Sequence, residues 1–252
     1  LLPGLLSAAQ RNMDRGASSV RLFEIGRRYF VGADGASDER ATAGIVLAGE
    51  RSARNWATGK AERFDAFDAK AEAIALLKAA GVATDSLLVM DDAGAHYHPG
   101  QSATLRMGPK NILAAFGTLH PATAKAFDLD GSVVAAEIFL DSIPLKKATG
   151  FMRPAFTPPA LQAVTRDFAF LVSQDTPAND LVRAIKGCDK DNIVAARLFD
   201  RFAGQGVPEG QVSLAVEVTL QPTDKSYGDD DLKLISDKVI AAAAKLGAVL
   251  RG

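Results

Sequence analysis

Apolar positions along the chain follow two periods, and the switches between them mark out the elements. Leu2, Leu5, Leu6, Ala9 and Met13 recur three and four apart, which predicts a helix over residues 1–15, with Pro3 tolerated in its first turn and Gly16 as its stop. "SVRLFEIGRRYF" is rich in branched and aromatic residues and reads as a strand; the turn "VGADGASDE" then leads to "ATAGIVLAG" as its antiparallel partner. Helical spacing returns over residues 64–80, where Phe67, Ala71, Ile74 and Leu77 are in register and Gly81 follows. "SATLRM", "NILAAFGTL" and "VVAAEIFLD" are further strands, with a short helical piece "PATAKAFDL" between the last two. The pattern predicts a mostly antiparallel sheet module with two long helices.

Residues 144–159, "PLKKATGFMRPAFTPP", carry four prolines and neither period. They place a proline-rich linker at 146–157, between a first module of residues 1–145 and a second of residues 158–252. The rhythm then changes. A strand "AVTRDFAFLV", a helix "PANDLVRAIKGC" and strands "NIVAARLFDRFAG" and "GQVSLAVEVTLQP" precede a helix "DDDLKLISDKVIAAAAKLG" and a last strand "AVLRG". The three acids that lead the final helix suit its positive end. The order is β-α-β-β-α-β, the split βαβ of ferredoxin-like domains, so the fold class is α+β.

Composition narrows the class. With 252 residues, 48% hydrophobic and 23% charged, the chain is long enough for two packed domains and belongs with globular proteins. Its apolar stretches all fall short of the roughly 18 residues a membrane span needs, so no membrane is expected. Cys188 is the sole cysteine, so no internal disulfide can form, which suits a cytoplasmic location. The chain opens Leu1-Leu2-Pro3 with no Met or cationic leader, and is read as a fragment of something longer. Residues 158–252 hold 11 Lys and Arg against 13 Asp and Glu. A general polyanion-binding domain carries a basic excess, so any nucleic-acid contact here is local.

Candidate chemistry begins with the histidines. His96, His98 and His120 are all that the chain has, and the first two share the alternate spacing of one strand face. A metal site needs further ligands and oriented partners, and the nearest acids, Asp91 and Asp92, precede the strand. A catalytic base needs a nucleophile or a substrate pocket. The structural reading, in which these residues serve turns and strand pairing, is preferred, so no catalytic and no metal residue is assigned. Cys188, late in an amphipathic helix, reads as a small packed side chain. Lys146 and Lys147 read as a solvated hinge.

The sheet of the second module is more informative. Two helices cover one side of a four-stranded sheet, so the apolar set Leu214, Val216, Val218 and Leu220, with Val194, Ala196 and Leu198, is expected beneath them. Arg197, Phe199 and Arg201, with Ser213 and Thr219, are then expected on the uncovered side. An aromatic for base stacking, flanked by cations and small hydrogen-bonding groups, is how sheets read unpaired bases. The bland alternative is that this side packs on a neighbour. Arg166 and Asp167 open the first strand as a charged pair that either braces the sheet edge or meets RNA.

"TRDFAFLV", "RLFDRFAGQGVPEGQVSLAVEVTLQP" and "DDDLKLISDKVIAAAAKLGAVLR" together resemble the ferredoxin-fold anticodon-binding domain of bacterial phenylalanyl-tRNA synthetase beta chains. "LLPGLLSAAQRNM", "VRLFEIGRRYF", "YHPGQSATL" and "FGTLHP" resemble the class II synthetase-like module of the same chains, so the likeness covers essentially the whole sequence. It implies tRNA(Phe) and a synthetase alpha subunit as partners, a cytoplasmic heterotetramer of two alpha and two beta chains, and ATP with Mg²⁺ for the holoenzyme. It implies no cofactor in this fragment. Phe30 stands where catalytic relatives place an α-phosphate-holding arginine, and Arg40, Ala41, Thr42, Ala43 and Gly44 stand where their acidic and amide groups belong. "VVAAEIFLDSIP" lacks their glycine-rich signature. The first module is accordingly expected to be catalytically silent, and tRNA contact is assigned to Arg166, Arg197, Phe199, Arg201, Ser213 and Thr219. A reading from another class, an amino-acid-binding regulator with a ferredoxin-like sensor domain, stays open because fold alone does not fix function.

Overall fold

The computed structural model describes residues 1–32, 34–144 and 157–251. The chain divides into two units, Leu1–Ala148 and Thr149–Gly252. Lys146, Lys147 and all but residue 157 of the expected linker lie outside the described residues. No helix among the described residues is long and apolar enough to cross a membrane.

In the first unit, α1 (Leu2–Asp14) precedes the long hairpin of β1 (Ser19–Val31) and β2 (Ser37–Ser52), followed by β3 (Glu62–Arg63) and α2 (Ala66–Ala79). Then come β4 (Leu88–Met90), β5 (Tyr97–Met107), β6 (Asn111–Leu119), α3 (Pro121–Ala126) and β7 (Val133–Phe139). The sheet order is β1-β2-β7-β6-β5-β4, with β3 on β2 and every pair antiparallel. Helices pack on both faces. Leu2, Leu5, Leu6 and Ala9 of α1 join Val20, Val46, Ala48 and Ala135 in one core; Ala69, Ala73 and Leu77 of α2 join Ile45, Leu47, Val134, Ala136 and Ile138 in the other. Burial on both sides explains why the middle of β2 and β7 reads as an unbroken apolar run.

One expected face is rotated. Phe67 is 75% exposed and Ala71 is also exposed, whereas Ala69, Ala73 and Leu77 are buried. The start of the helix decides this. Asp65 caps α2, its side chain accepting from Phe67 N and Asp68 N, while Asp68 accepts in return from Asp65 N. That box puts Phe64 just before the cap and Ala69 on the turn above, both in the same core, as in a hydrophobic staple. Phe64 takes the large core position, and small alanines let the helix lie close to the sheet.

The residues joining His98 to Gln101 form a bulge, since Tyr97 pairs with Leu119 but Ser102 pairs with Gly117. Gly117 is required there. Its φ is +149°, and a Cβ would sit 2.4 Å from the Ser102 Cβ.

The second unit runs β8 (Val164–Ser173), α4 (Ala178–Gly187), β9 (Ile193–Phe202), β10 (Gln211–Leu220), α5 (Asp229–Ala244) and β11 (Val249–Leu250). Its sheet order is β11-β8-β10-β9, all antiparallel, the arrangement of a split βαβ. Leu181 and Ile185 of α4 and Ile235, Val239 and Ala243 of α5 share a core with Phe170, Val212, Leu214, Val216, Val218 and Leu220. Both helices therefore cover the same side of the sheet.

Candidate nucleic-acid interface

Cross-strand partners project to the same side of a sheet, so the ladder assigns each side chain a face. From Glu217, whose neighbours Val216 and Val218 are buried, the uncovered side runs through Thr165, Asp167, Ala169, Ala195, Arg197, Asp200, Phe202, Ala215 and Thr219. Arg197 and Thr219 stand where the sequence places them. Arg201 does not, and the ladder gives Arg166 and Ser213 their own surroundings. Arg166 is the partner of Val218 and Arg201 of Leu214, so both leave the sheet on the helix-covered side, where they are exposed at its margin. Ser213 is on the expected side but only 5% exposed, out of reach of a ligand.

The cause in β9 is a pair of bulges. Val216 pairs with Leu198 and Ala215 with Asp200, which leaves Phe199 without a partner; Val194 is left out in the same way. Each bulge resets the alternation by one residue. Val194, expected beneath the helices, is 51% exposed in one bulge and Phe199 50% in the other, while Leu198, opposite buried Val216, keeps the expected side and is 37% exposed. Past it, Asp200 and Phe202 take the uncovered side in place of Arg201. Sequence alternation missed both, and also missed Arg251, whose guanidinium lies 5.6 Å above the Phe202 ring.

The charge of this face follows. Arg197 Nε donates to Glu217 Oε1 at 2.7 Å. The bond to Glu217 raises the guanidinium pKa, with a further push from Asp167, and Arg197 in turn holds the Glu217 carboxyl below its ordinary value. On the uncovered side of β8, β9 and β10, three acids, Asp167, Asp200 and Glu217, thus meet one arginine, and that arginine is already paired. Acids outnumber cations on these three strands, with Arg251 over Phe202 as a further cation at this face. What the face offers a base is an aromatic, Phe202 or Phe199, beside small side chains.

The histidines of the first unit each have a separate task. His96 Nε2 lies 3.3 Å from Glu137 Oε2, a partner 41 residues away. His98 Nδ1 accepts from Gly100 N at 3.3 Å within the bulge, and His120 Nδ1 accepts from Ala122 N at 3.2 Å as the cap of α3. Asp92 is engaged instead with Thr104 and Arg106, whose hydrogen bonds hold its carboxyl below the ordinary range despite some burial. No group of three or more His, Cys, Asp or Glu among the described residues is placed to hold a metal ion. Cys188 is half-buried at the end of α4, where burial and the charge of Asp189 push its thiol up.

The residues of the first unit that stand at the catalytic relatives' nucleotide positions are engaged within the fold. Arg28 Nε donates to Thr42 Oγ1 at 2.9 Å and its guanidinium lies 4.2 Å from the centre of the Phe139 ring, so this cation is tied down. Phe30 is flanked by Arg28 and Arg40 at 5.2 and 5.4 Å, and Ala43 is buried in the core. A cavity of about 250 Å³ beside His96 and Glu137 is otherwise walled by Leu1, Leu2, Pro3, Leu6, Leu119, Thr123 and Phe127. It offers no lysine or arginine to hold phosphates.

Fold and faces together define an α+β chain of two antiparallel-sheet units, the second a ferredoxin-type domain with one side of its sheet uncovered. The chain belongs to the family described as phenylalanyl tRNA synthetase beta chain CLM domain, whose model matches residues 1–140; residues 159–251 match the ferredoxin-fold anticodon binding domain. It is 69% identical over 252 residues to a phenylalanine-tRNA ligase beta subunit of Novosphingobium aromaticivorans, covering all of this chain and 32% of that protein. To the same subunit of Zymomonas mobilis it is 53% identical over 251 residues, covering all of this chain and 31% of that one. The chain therefore spans about a third of the length of the curated relatives it matches. A solved pyrrolysyl tRNA synthetase of Desulfitobacterium hafniense covers 56% of the chain, and the chain 45% of it, at a TM-score of 0.39 and 15% identity, a likeness too slight to bear on fold or function. The family sets aside the amino-acid-sensing regulator.

Proposed function

We propose that the chain is the non-catalytic C-terminal part of a phenylalanine-tRNA ligase beta subunit, in which the second unit meets the anticodon region of tRNA(Phe) and the first supports an alpha subunit. The match of residues 159–251 to an anticodon-binding domain, on a split βαβ sheet with one side free of helices, carries this reading. ATP and Mg²⁺ act on the alpha side, in a complex of two alpha and two beta chains. Holding the far end of the tRNA restricts its motion, so that the acceptor end reaches the active site more often.

Docking of alpha is supported by the edge strand β1. Phe23, Ile25, Tyr29 and Val31 alternate along it and are 66–84% exposed. A row of large apolar side chains on an unpaired edge suits a protein partner.

The test is reconstitution. A full-length beta subunit, with and without residues 158–252, is combined with alpha, and aminoacylation and tRNA affinity are measured. Deletion is expected to raise the tRNA concentration needed while ATP-dependent activation of phenylalanine persists. Unchanged tRNA affinity overturns the anticodon role.

A further inference from the structure

The connection from β2 to β3 ends in a braced tip, residues 53–61, "ARNWATGKA". Asn55 Oδ1 accepts from Ala57 N and Thr58 N, both at 2.9 Å, and Asn55 and Gly59 exchange backbone hydrogen bonds at 3.2 and 2.9 Å. On this ordered turn stands Trp56, 98% exposed and the sole tryptophan of the chain. Neither fold nor core uses the indole. Arg54 and Lys60 flank it, exposed and without an ion pair among the described residues. At the base, by contrast, Arg51 is tied to Glu62 at 2.5 Å and Asp68 at 3.5 Å. An open groove of about 910 Å³ runs along Glu50, Arg54, Asn55, Trp56 and Lys60.

We propose that this tip is a second RNA contact, in which Trp56 stacks on an unpaired base while Arg54 and Lys60 take the adjoining phosphates. The proposal rests on the reading that the chain works on tRNA. Every base presents a π face, so a rigid exposed indole binds without needing a particular sequence. Two unengaged cations beside it supply the phosphate contacts that stacking alone does not. Trp56 is the one large apolar side chain of residues 53–61, so the tip has no apolar patch for a protein partner to cover. Charge and surroundings both favour a polyanion.

The sole tryptophan makes its own reporter. The 252-residue chain is titrated with a tRNA(Phe) transcript at low salt, and indole emission is read beside electrophoretic mobility. Quenching is expected to saturate together with the mobility shift and to reverse on adding salt. Arg54→Ala with Lys60→Ala is expected to weaken binding about tenfold and to lower the salt slope by about two. Trp56→Phe keeps most of the affinity, and Trp56→Ala loses about fivefold or more, with melting temperature unchanged. A mobility shift with unaltered emission places the RNA elsewhere and overturns this proposal while leaving the functional reading intact. Failure of the folded chain to shift tRNA at all counts against both. Emission that responds to added alpha subunit in the absence of RNA assigns the tip to protein contact and overturns it as well.

Discussion

Arg197 and Glu217 are directly opposed on β9 and β10 and joined at 2.7 Å, so this arginine of the uncovered side of the second sheet comes with its own counter-ion. Glu217→Gln frees the guanidinium for phosphate. In the reconstituted ligase this is expected to tighten tRNA binding about two- to fivefold at low salt and to steepen the salt dependence by about one ion. Arg197→Ala leaves Glu217 without its partner and is expected to do the reverse. Filter binding across a salt series checks both; equal and parallel changes would show that the face is not where tRNA sits.

The bulge at Phe199 separates two residues that simple alternation puts together. Phe199→Ala is expected to raise the tRNA concentration needed for half-maximal aminoacylation about fivefold, the scale of a lost base stack. Arg201→Ala, on the helix-covered side with Leu214, is expected to stay within about twofold. A larger effect at Arg201 would contradict the register. Activation of phenylalanine by ATP serves as the control for folding.

Tyr97 is 2% exposed and its hydroxyl has no hydrogen-bond partner among the described residues. Burial first, and the charge of Glu137 second, drive its phenol well above the usual range. Tyr97→Phe removes an unpaired polar atom and keeps the ring. It is expected to be neutral or to stabilise the first unit by up to about 1–2 kcal/mol, seen as a raised denaturant midpoint. A marked loss of stability would mean that the hydroxyl is bonded.

Asp189 is 4% exposed in its side chain and accepts from Lys238 Nζ at 2.7 Å and Asn192 Nδ2 at 3.0 Å. Burial alone would raise its pKa, but these bonds outweigh it and hold the carboxyl below the ordinary value. A depressed folded pKa contributes stability above the unfolded value, about 3.9, and loses it as the pH falls through the folded one. The second unit is expected to weaken below about pH 4. Asp189→Asn is expected to cost about 1–3 kcal/mol at neutral pH and to flatten that acid limb in thermal melts recorded from pH 2 to 7.

Element order and fold class were legible because strong periods survive in the sequence, as in the α1 stripe of Leu2, Leu5, Leu6 and Ala9 and the β10 alternation of Val212 to Leu220. Alternation fails where the ladder gains a residue. Nothing in "NIVAARLFDR" announces that Val194 and Phe199 are skipped, since a bulge exists only in the pairing with the neighbouring strand. The α2 face was misread because Phe67 outweighs Ala69 and Ala73 by hydrophobicity, whereas packing against a sheet rewards small side chains. The His96–Glu137 contact joins residues that only the closed sheet brings together, so no spacing could reveal it.

The long edge of the first sheet bears on how such a chain survives before assembly. Thirteen residues of β1 form the end of the strand order, with Phe23, Ile25, Tyr29 and Val31 turned to water. An orphan copy would template strand addition onto itself, and clumping would set in at lower concentration than for a chain with a blunted rim. An edge of this kind calls for a cover, from a partner or from the rest of a longer chain, and its supply is then a condition of solubility.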